Sequence, residues 1–254
     1  MKKTLLKSAL MAMAGIGLMA GGAMALPYGN GPSLIEPAPL GSGQVALQDT
    51  VDAVFVNSGL DVDDDQTGVG AWILDENDAS TYLVTLGYAA GTGTPYNGIF
   101  GIYDMLDLSK TYALIDTALS QDSASFDFYN GTLEVNNIDI SSGWSESFGF
   151  YWTQDGVTRY TEDDKNADLG NYAATYIVAD GTAWDSGYDG GTVRDNNDWL
   201  IAFDTNPDVE GVARDFNDGV FLVEDIAPVP EPATMLLFGT GLAGLAGIAR
   251  RRKK

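Results

Sequence analysis

In this 254-residue chain, the residues best suited to chemistry are carboxylates clustered in turns, which could bind a metal ion. In the stretch LDVDDDQTGVGAW, Asp61, Asp63 and Asp65 alternate as the first ligands of a calcium loop do. An EF-hand also needs Gly at the sixth loop position and Glu at the twelfth, where this chain has Gln66 and Trp72. The stretch is therefore not an EF-hand. It is either an acidic turn exposed to solvent or part of a calcium site completed by ligands from another strand.

A second oxygen-rich turn, DFNDG, lies directly before the apolar run 220–223. Asp215, Asn217 and Asp218 place three oxygen-bearing side chains within four residues, which suits half of a calcium shell. Asn and Asp also close turns by bonding to their own backbone, so an ordinary β-turn is an equally good interpretation. A similar group, 195–198, precedes another apolar run, and we expect it to face the DFNDG turn across a hairpin-like connection.

Aromatic residues form a third candidate set. Exposed rings stack on sugars in carbohydrate-binding modules, and we take Trp152, Trp184 and Tyr188 as the candidates for such stacking. Aromatic side chains at β spacing are more often part of a core, so core packing is the competing interpretation.

The chain contains neither cysteine nor histidine. This composition excludes Ser-His-Asp triads, cysteine nucleophiles, disulfides, and the usual zinc and copper sites. Carboxylates remain, and these can bind calcium or, as a pair, hydrolyse glycosides. No pair stands in a recognisable motif, so we expect no enzyme activity, and a secreted glycosidase is the least favoured hypothesis.

Charge is distributed very unevenly along the chain. Residues 26–229 contain 35 of the 36 acidic residues and only five basic ones, so their net charge is −30. Such a surface repels nucleic acid and concentrates cations. Binding to an acidic polysaccharide would require bridging cations.

The two ends of the chain indicate export. Lys2, Lys3 and Lys7 flank an apolar stretch that ends at the small-x-small site Ala23-Met24-Ala25, so we predict a signal peptide over residues 1–25. At the other end, an uncharged run over 233–249 predicts a transmembrane helix of about 25 Å. The basic tail 250–254 would keep the C-terminus in the cytoplasm.

This C-terminal end resembles the PEP-CTERM sorting signal of Gram-negative bacteria, with Pro230, Glu231 and Pro232 as its motif. The resemblance implies secretion across the inner membrane, a transient anchor in that membrane, and cleavage near the motif by an exosortase. The implied partners are the exosortase and the secretion machinery, and the implied destination is the cell surface or the extracellular space.

Between the two ends we predict an extended leader over 26–43 and one ectodomain over 44–227, with the sorting signal occupying 228–254. Short β-type runs separated by Gly, Asn and Asp turns predict an all-β fold, a single antiparallel sandwich of jelly-roll type. One turn of helix within Leu114–Ser120 is an alternative to strand there. The candidate strands are Val51–Val56, Tyr82–Leu86, Ile99–Tyr103, Tyr112–Ile115, Phe126–Tyr129, Phe148–Trp152, Ala174–Val178, Trp199–Phe203 and Val220–Val223.

The ectodomain also resembles a β-rich domain that often precedes PEP-CTERM tails, domain of unknown function 4114. The likeness extends from Asp61 to Ile226 through pieces such as GIFGIYD, DWLIAFDT and DFNDGVFLVEDI. It implies a fold and a location but no reaction. Our leading hypothesis is a non-enzymatic structural or matrix protein associated with extracellular polysaccharide, with calcium as the candidate stabilising ion. A carbohydrate-binding module is the alternative.

Overall fold

Two antiparallel β-sheets pack face to face, and a smaller layer covers the outer face of one of them. A computed structural model describes residues 46–75, 78–86, 97–187, 189–193, 197–205 and 215–229, all of which belong to the compact unit Pro27–Pro230. The signal peptide, the leader, the sorting motif, the transmembrane helix and the basic tail predicted above lie outside the described residues. Among the residues that are described, no helix has the length and apolar character needed to cross a membrane.

The described ranges contain one α-helix and 16 strands. The helix α1 is Leu47–Val54. The strands are β1 (Phe55–Val56), β2 (Trp72–Leu74), β3 (Ala79–Leu86), β4 (Gly98–Asp104), β5 (Asp107–Asp116), β6 (Ser123–Tyr129), β7 (Thr132–Val135), β8 (Ile138–Ser142), β9 (Phe148–Gln154), β10 (Val157–Tyr160), β11 (Ala173–Val178), β12 (Ala183–Asp185), β13 (Gly190–Thr192), β14 (Asp198–Phe203), β15 (Gly219–Glu224) and β16 (Ile226–Pro228). Two single 3-10 turns are Thr117–Leu119 and Asp163–Lys165.

One sheet has seven strands in the order β11-β14-β15-β3-β6-β7-β8. The other has six, in the order β16-β2-β9-β4-β5, with β10 also paired to β9. A small third sheet has the order β1-β12-β13. Because these sheets are antiparallel and predominate in the described chain, the predicted all-β sandwich is confirmed in outline. Its jelly-roll connectivity stays a prediction.

The interior between the two large sheets is built from alternating aromatic residues. In β9, Phe148, Phe150 and Trp152 point into this core and are fully buried. The ring of Phe100 in β4 stacks on Phe221 of the opposite sheet, with centroids 3.9 Å apart. Side chains at every second position of a strand share one face, so the aromatic spacing in FGFYWTQ predicts this core directly.

A second core lies on the outer face of the seven-stranded sheet, beneath α1 and the small sheet. Here the predicted strand Val51–Val56 is wrong, because α1 ends at Val54 and only two residues continue as β1. Leu47, Val51 and Val54 repeat at helical spacing and are all buried. The side chain of Gln48 bonds to the backbone of Leu60 and Val62, which fixes the helix against the acidic turn.

Candidate cation sites at the two ends of a strand pair

Strands β14 and β15 pair antiparallel, with Trp199 opposite Val223 and Phe203 opposite Gly219. Acidic residues lie at both ends of this pair. Asp218 directly precedes Gly219 at one end, whereas Asp198 lies at the other end and its Oδ1 accepts a hydrogen bond from Asp225 N at 3.2 Å. The expectation that the 195–198 group faces the DFNDG turn is therefore wrong for Asp198, because the antiparallel register separates the two by the length of the strands.

The first end is the 215–218 turn, in which Asp218 is fully buried. Its Oδ2 accepts hydrogen bonds from Thr205 N at 2.6 Å and from Thr205 Oγ1 at 2.5 Å. Its Oδ1 is buried without a hydrogen-bond partner in the described part of the chain. A buried carboxylate oxygen without a partner is costly, and a bound cation is one way to satisfy it.

The turn has a strained backbone. Phe216 is fully buried in the second core but adopts a left-handed conformation with φ of 49°, which is rare for a bulky residue. This conformation accompanies burial of the aromatic ring in the second core. Asp215 then lies close to the end of β14, where its backbone N–H donates to Asp204 Oδ2 at 3.2 Å.

Negative charge is unfavourable at this turn. Burial, together with the neighbouring charge of Asp218, raises the pKa of Asp215 to about 6. Burial also raises the pKa of Asp218, although the hydrogen bonds from Thr205 partly oppose this, and the charge of Asp155 adds to the increase. At neutral pH the turn therefore favours either protons or a bound cation.

Sequence reasoning missed Asp204 and Thr205, which complete this end. Both residues follow β14 directly, in the stretch DWLIAFDT, and both are buried. A polar pair directly after an apolar strand is a usable signal, but only the strand register shows that it meets Asp218. Asn217 is also buried here. Across the described residues, no group of three or more acidic side chains has the arrangement of a metal site.

The other predicted calcium ligands have different surroundings. Asp61, Asp63 and Asp65 are exposed. Asp65 Oδ2 accepts from Asp61 N at 2.8 Å, and Asp61 Oδ1 accepts from Asp63 N at 3.0 Å. The carboxylates of Asp61 and Asp65 therefore close their own turn, as the solvent-exposed interpretation expects.

The predicted sugar-stacking residues offer little exposed aromatic surface. Trp152 has no exposed surface and packs against Gly98 and Gly219, so its assignment to carbohydrate is wrong. Trp184 is only 4% exposed, because it packs against Tyr82 in the outer layer. Tyr188 lies outside the described residues.

An exposed aromatic residue does lie beside a cleft elsewhere. Tyr129, at the end of β6, is 65% exposed. It lines a cleft of about 450 Å³, which we call the Tyr129 cleft. The other lining residues are Ile73, Leu74, Asp127, Phe128, Ser145, Glu146 and Ser147.

The carboxyl of Glu162 is buried away from both ends of the strand pair. Glu162 has no exposed surface, and its Oε2 accepts a hydrogen bond from the Tyr103 hydroxyl at 2.8 Å. Burial raises the pKa of Glu162 to about 7. Burial, and secondly the charge of Glu162, raises the pKa of Tyr103. Glu162 is therefore a group that titrates near neutrality inside the fold.

Comparison with known families identifies only the C-terminal end of the chain. Residues 228–253 match the PEP-CTERM protein-sorting motif. The motif implies an exported surface protein of a Gram-negative bacterium that is processed by an exosortase. No curated protein and no solved structure matches the chain. The resemblance of 61–226 to domain of unknown function 4114 is not confirmed and stays a hypothesis.

Proposed function

We propose that this exported protein is a non-enzymatic component of the cell surface or extracellular matrix, and that calcium stabilises its fold at the 215–218 turn. The sorting motif supports the location. The observation that supports the calcium site is the buried Oδ1 of Asp218, which has no partner among the described residues. Calcium bound to such a protein could also bridge its acidic surface to an acidic polysaccharide.

The tail would act as a temporary anchor. In the proposed maturation, an exosortase cuts near Pro230-Glu231-Pro232 and removes Ala233–Lys254. Mass spectrometry of protein shed from the cell surface tests this step. We expect no peptide containing Arg250–Lys254 in that fraction, and an intact tail there would instead indicate a permanent membrane anchor.

The chemistry of the 215–218 turn suits a hard cation. Calcium takes six to eight oxygen ligands from carboxylates, amides, backbone carbonyls and water at about 2.3–2.6 Å. Asp215 and Asp218 would supply the carboxylates and Asn217 an amide oxygen. Since only two of these ligands are charged, water and backbone oxygens would complete the shell. Asp204 lies against Asp215 and would add negative potential.

Thermal unfolding of the purified full chain tests the calcium site. Binding to the folded state alone adds about 2.7 kcal/mol at a hundredfold excess of calcium over its dissociation constant. We expect calcium to raise the melting temperature more than sodium at equal ionic strength. The double variant Asp215→Asn with Asp218→Asn should lose this excess.

The matched control is the double variant Asp61→Asn with Asp65→Asn, which removes the same charge from an exposed turn. This control should keep the full calcium response. If it loses the response and the 215–218 variant keeps it, the ion binds at the 61–65 turn. If the wild-type chain shows no excess over sodium, the DFNDG turn binds no calcium.

Carbohydrate binding is the second candidate function, and the exposed ring of Tyr129 favours it. The ring can stack on a sugar face while Asp127 and Glu146 accept hydrogen bonds from sugar hydroxyls. Retention on immobilised neutral polysaccharide, measured for wild type and for Tyr129→Ala, tests this function. Equal retention of both would exclude this cleft as the binding site.

A further inference from the structure

A second cleft lies at the Asp198 end of the strand pair, between the seven-stranded sheet and the small sheet. It has a volume of about 360 Å³, and we call it the Tyr82 cleft. Its residues come from β3, β12, β13, β14 and the end of β15. The length of β14 separates it from the 215–218 turn. It shares no lining residue with the Tyr129 cleft.

The cleft has aromatic walls. The rings of Tyr82 and Trp184 lie with centroids 4.9 Å apart and planes inclined by 54°. Trp184 pairs with Gly191 across β12 and β13, and a Cβ at Gly191 would lie 3.2 Å from the indole Nε1. That N–H is buried and has no hydrogen-bond partner in the described part of the chain. The absence of side chains at Gly190 and Gly191 keeps this wall of the cleft open.

The rim of the cleft is strongly acidic. Asp189, Glu224 and Asp225 line it beside the buried Asp198, and no basic side chain is among its described lining residues. Burial raises the pKa of the Tyr82 hydroxyl. The nearby charges of Glu224 and Asp189 also raise it. The carboxylates and the aromatic rings therefore surround the same small volume.

We propose that the Tyr82 cleft binds an organic ammonium group, held against the partly exposed ring of Tyr82, which Trp184 supports from behind, and paired with the carboxylates of its rim. Aromatic faces attract cations through their quadrupole, and this attraction increases when the cation is partly desolvated. A metal ion would gain little from the rings, because it prefers oxygen ligands. An acidic sugar would be repelled by four carboxylates. This site is independent of the calcium site proposed above.

Calorimetric titration of the purified full chain at constant ionic strength tests the proposal. The probes are tetramethylammonium, glucosamine and N-acetylglucosamine, of which the last has a similar ring but no charge. We expect glucosamine and tetramethylammonium to bind at least about tenfold more tightly than N-acetylglucosamine. Nα-acetyl-lysine amide, tested in parallel, distinguishes an amine carried by a protein from one carried by a sugar. Equal affinity for glucosamine and N-acetylglucosamine would overturn the proposal.

Variants locate the binding. Tyr82→Leu should weaken tetramethylammonium binding about tenfold, whereas Tyr82→Phe keeps the ring and should bind nearly as wild type does. Glu224→Gln should weaken binding more than Asp63→Asn, which removes one charge from the exposed 61–65 turn. Unchanged binding by Tyr82→Leu, with the melting temperature also unchanged, would place the ammonium elsewhere and refute the assignment. If Tyr82→Leu unfolds, the comparison of Glu224→Gln with Asp63→Asn decides.

Discussion

The two ends of the β14–β15 strand pair each contain a buried aspartate, Asp218 at one end and Asp198 at the other, but their surroundings differ. At the 215–218 turn, Asp218 is fully buried, and one of its oxygens is held by two short hydrogen bonds from Thr205. At the Tyr82 cleft, carboxylates surround an open volume of about 360 Å³ with two aromatic rings in its wall. One end has buried oxygen ligands, whereas the other combines negative charge with an aromatic surface.

This difference shows why acidic composition alone does not specify a ligand. A small hard cation needs converging oxygens at short distance, which a buried and strained turn can provide. An organic cation needs room and a polarisable surface, which rings beside a cleft provide. The net charge of −30 over residues 26–229 attracts cations generally, and the local packing then selects among them.

The largest expected effect is the loss of stability from Asp218→Ala. Without the carboxylate, the backbone N–H and the hydroxyl of Thr205 lose their acceptor in a buried site, which should cost about 4 kcal/mol. Asp198→Ala, at the other end, removes the acceptor of the 3.2 Å bond from Asp225 N and should cost less, about 2 kcal/mol. Urea unfolding at pH 5 with a chelator present measures both losses. Equal losses would mean that the two ends do not differ in this way.

The pH dependence of stability should contain a contribution from Glu162, which belongs to neither end. Because the folded protein raises the pKa of Glu162 to about 7, its stabilising effect is full below the unfolded pKa of about 4.5 and is lost as pH rises through 7. Glu162→Gln should therefore reduce the fall in unfolding free energy between pH 5 and 8 by about 3 kcal/mol. Urea unfolding at both pH values tests this. An unchanged fall would show that Glu162 ionises normally.

A similar but smaller contribution should come from the 215–218 turn, and calcium should abolish it. The folded-state pKa of Asp215 is about 6, so its contribution is present below the unfolded pKa of about 3.8 and is lost as pH rises through 6. In a chelator, Asp215→Asn should reduce the fall in stability between pH 4 and 7 by about 2 kcal/mol, allowing for partial exposure. Saturating calcium should remove this share but leave the share of Glu162. If calcium leaves the profile unchanged, the ion does not bind ionised Asp215.

Salt should produce the smallest effect and should separate the two ends. Raising sodium chloride from about 10 mM to about 150 mM shortens the Debye length from about 30 Å to about 8 Å. Because repulsion between carboxylates weakens, this screening should raise the unfolding free energy of the calcium-free chain by about 1 kcal/mol. Its melting temperature should rise accordingly. Screening should weaken ammonium binding at the open Tyr82 cleft more than calcium binding at the buried turn. Equal salt dependence of the two affinities would contradict the difference in burial.

Several features could be predicted from sequence because they depend on local patterns. The alternation in FGFYWTQ predicts a strand with one aromatic face, and the structure places Phe148, Phe150 and Trp152 in the core. The order of motif, apolar run and basic tail at 228–253 identifies the sorting signal without any tertiary contact. The same local approach failed at 51–56, where β-branched residues suggested a strand. There, burial of Leu47, Val51 and Val54 on the outer face of the seven-stranded sheet stabilises a helix instead.

By itself, the sequence determined the sorting motif, the absence of cysteine and histidine, the acidic charge, and the β-rich core, because each depends on composition or on neighbours along the chain. Only the tertiary structure decided which distant residues meet to form the candidate sites. Thr205 and Asp218 are 13 residues apart in the chain, and Tyr82 and Trp184 are more than 100 apart. Strand register brings these pairs together. Burial then raises the pKa of Asp218, whereas the exposed carboxylate of Asp61 accepts a hydrogen bond within its own turn. Register and burial depend on long-range packing, which no short stretch of sequence specifies.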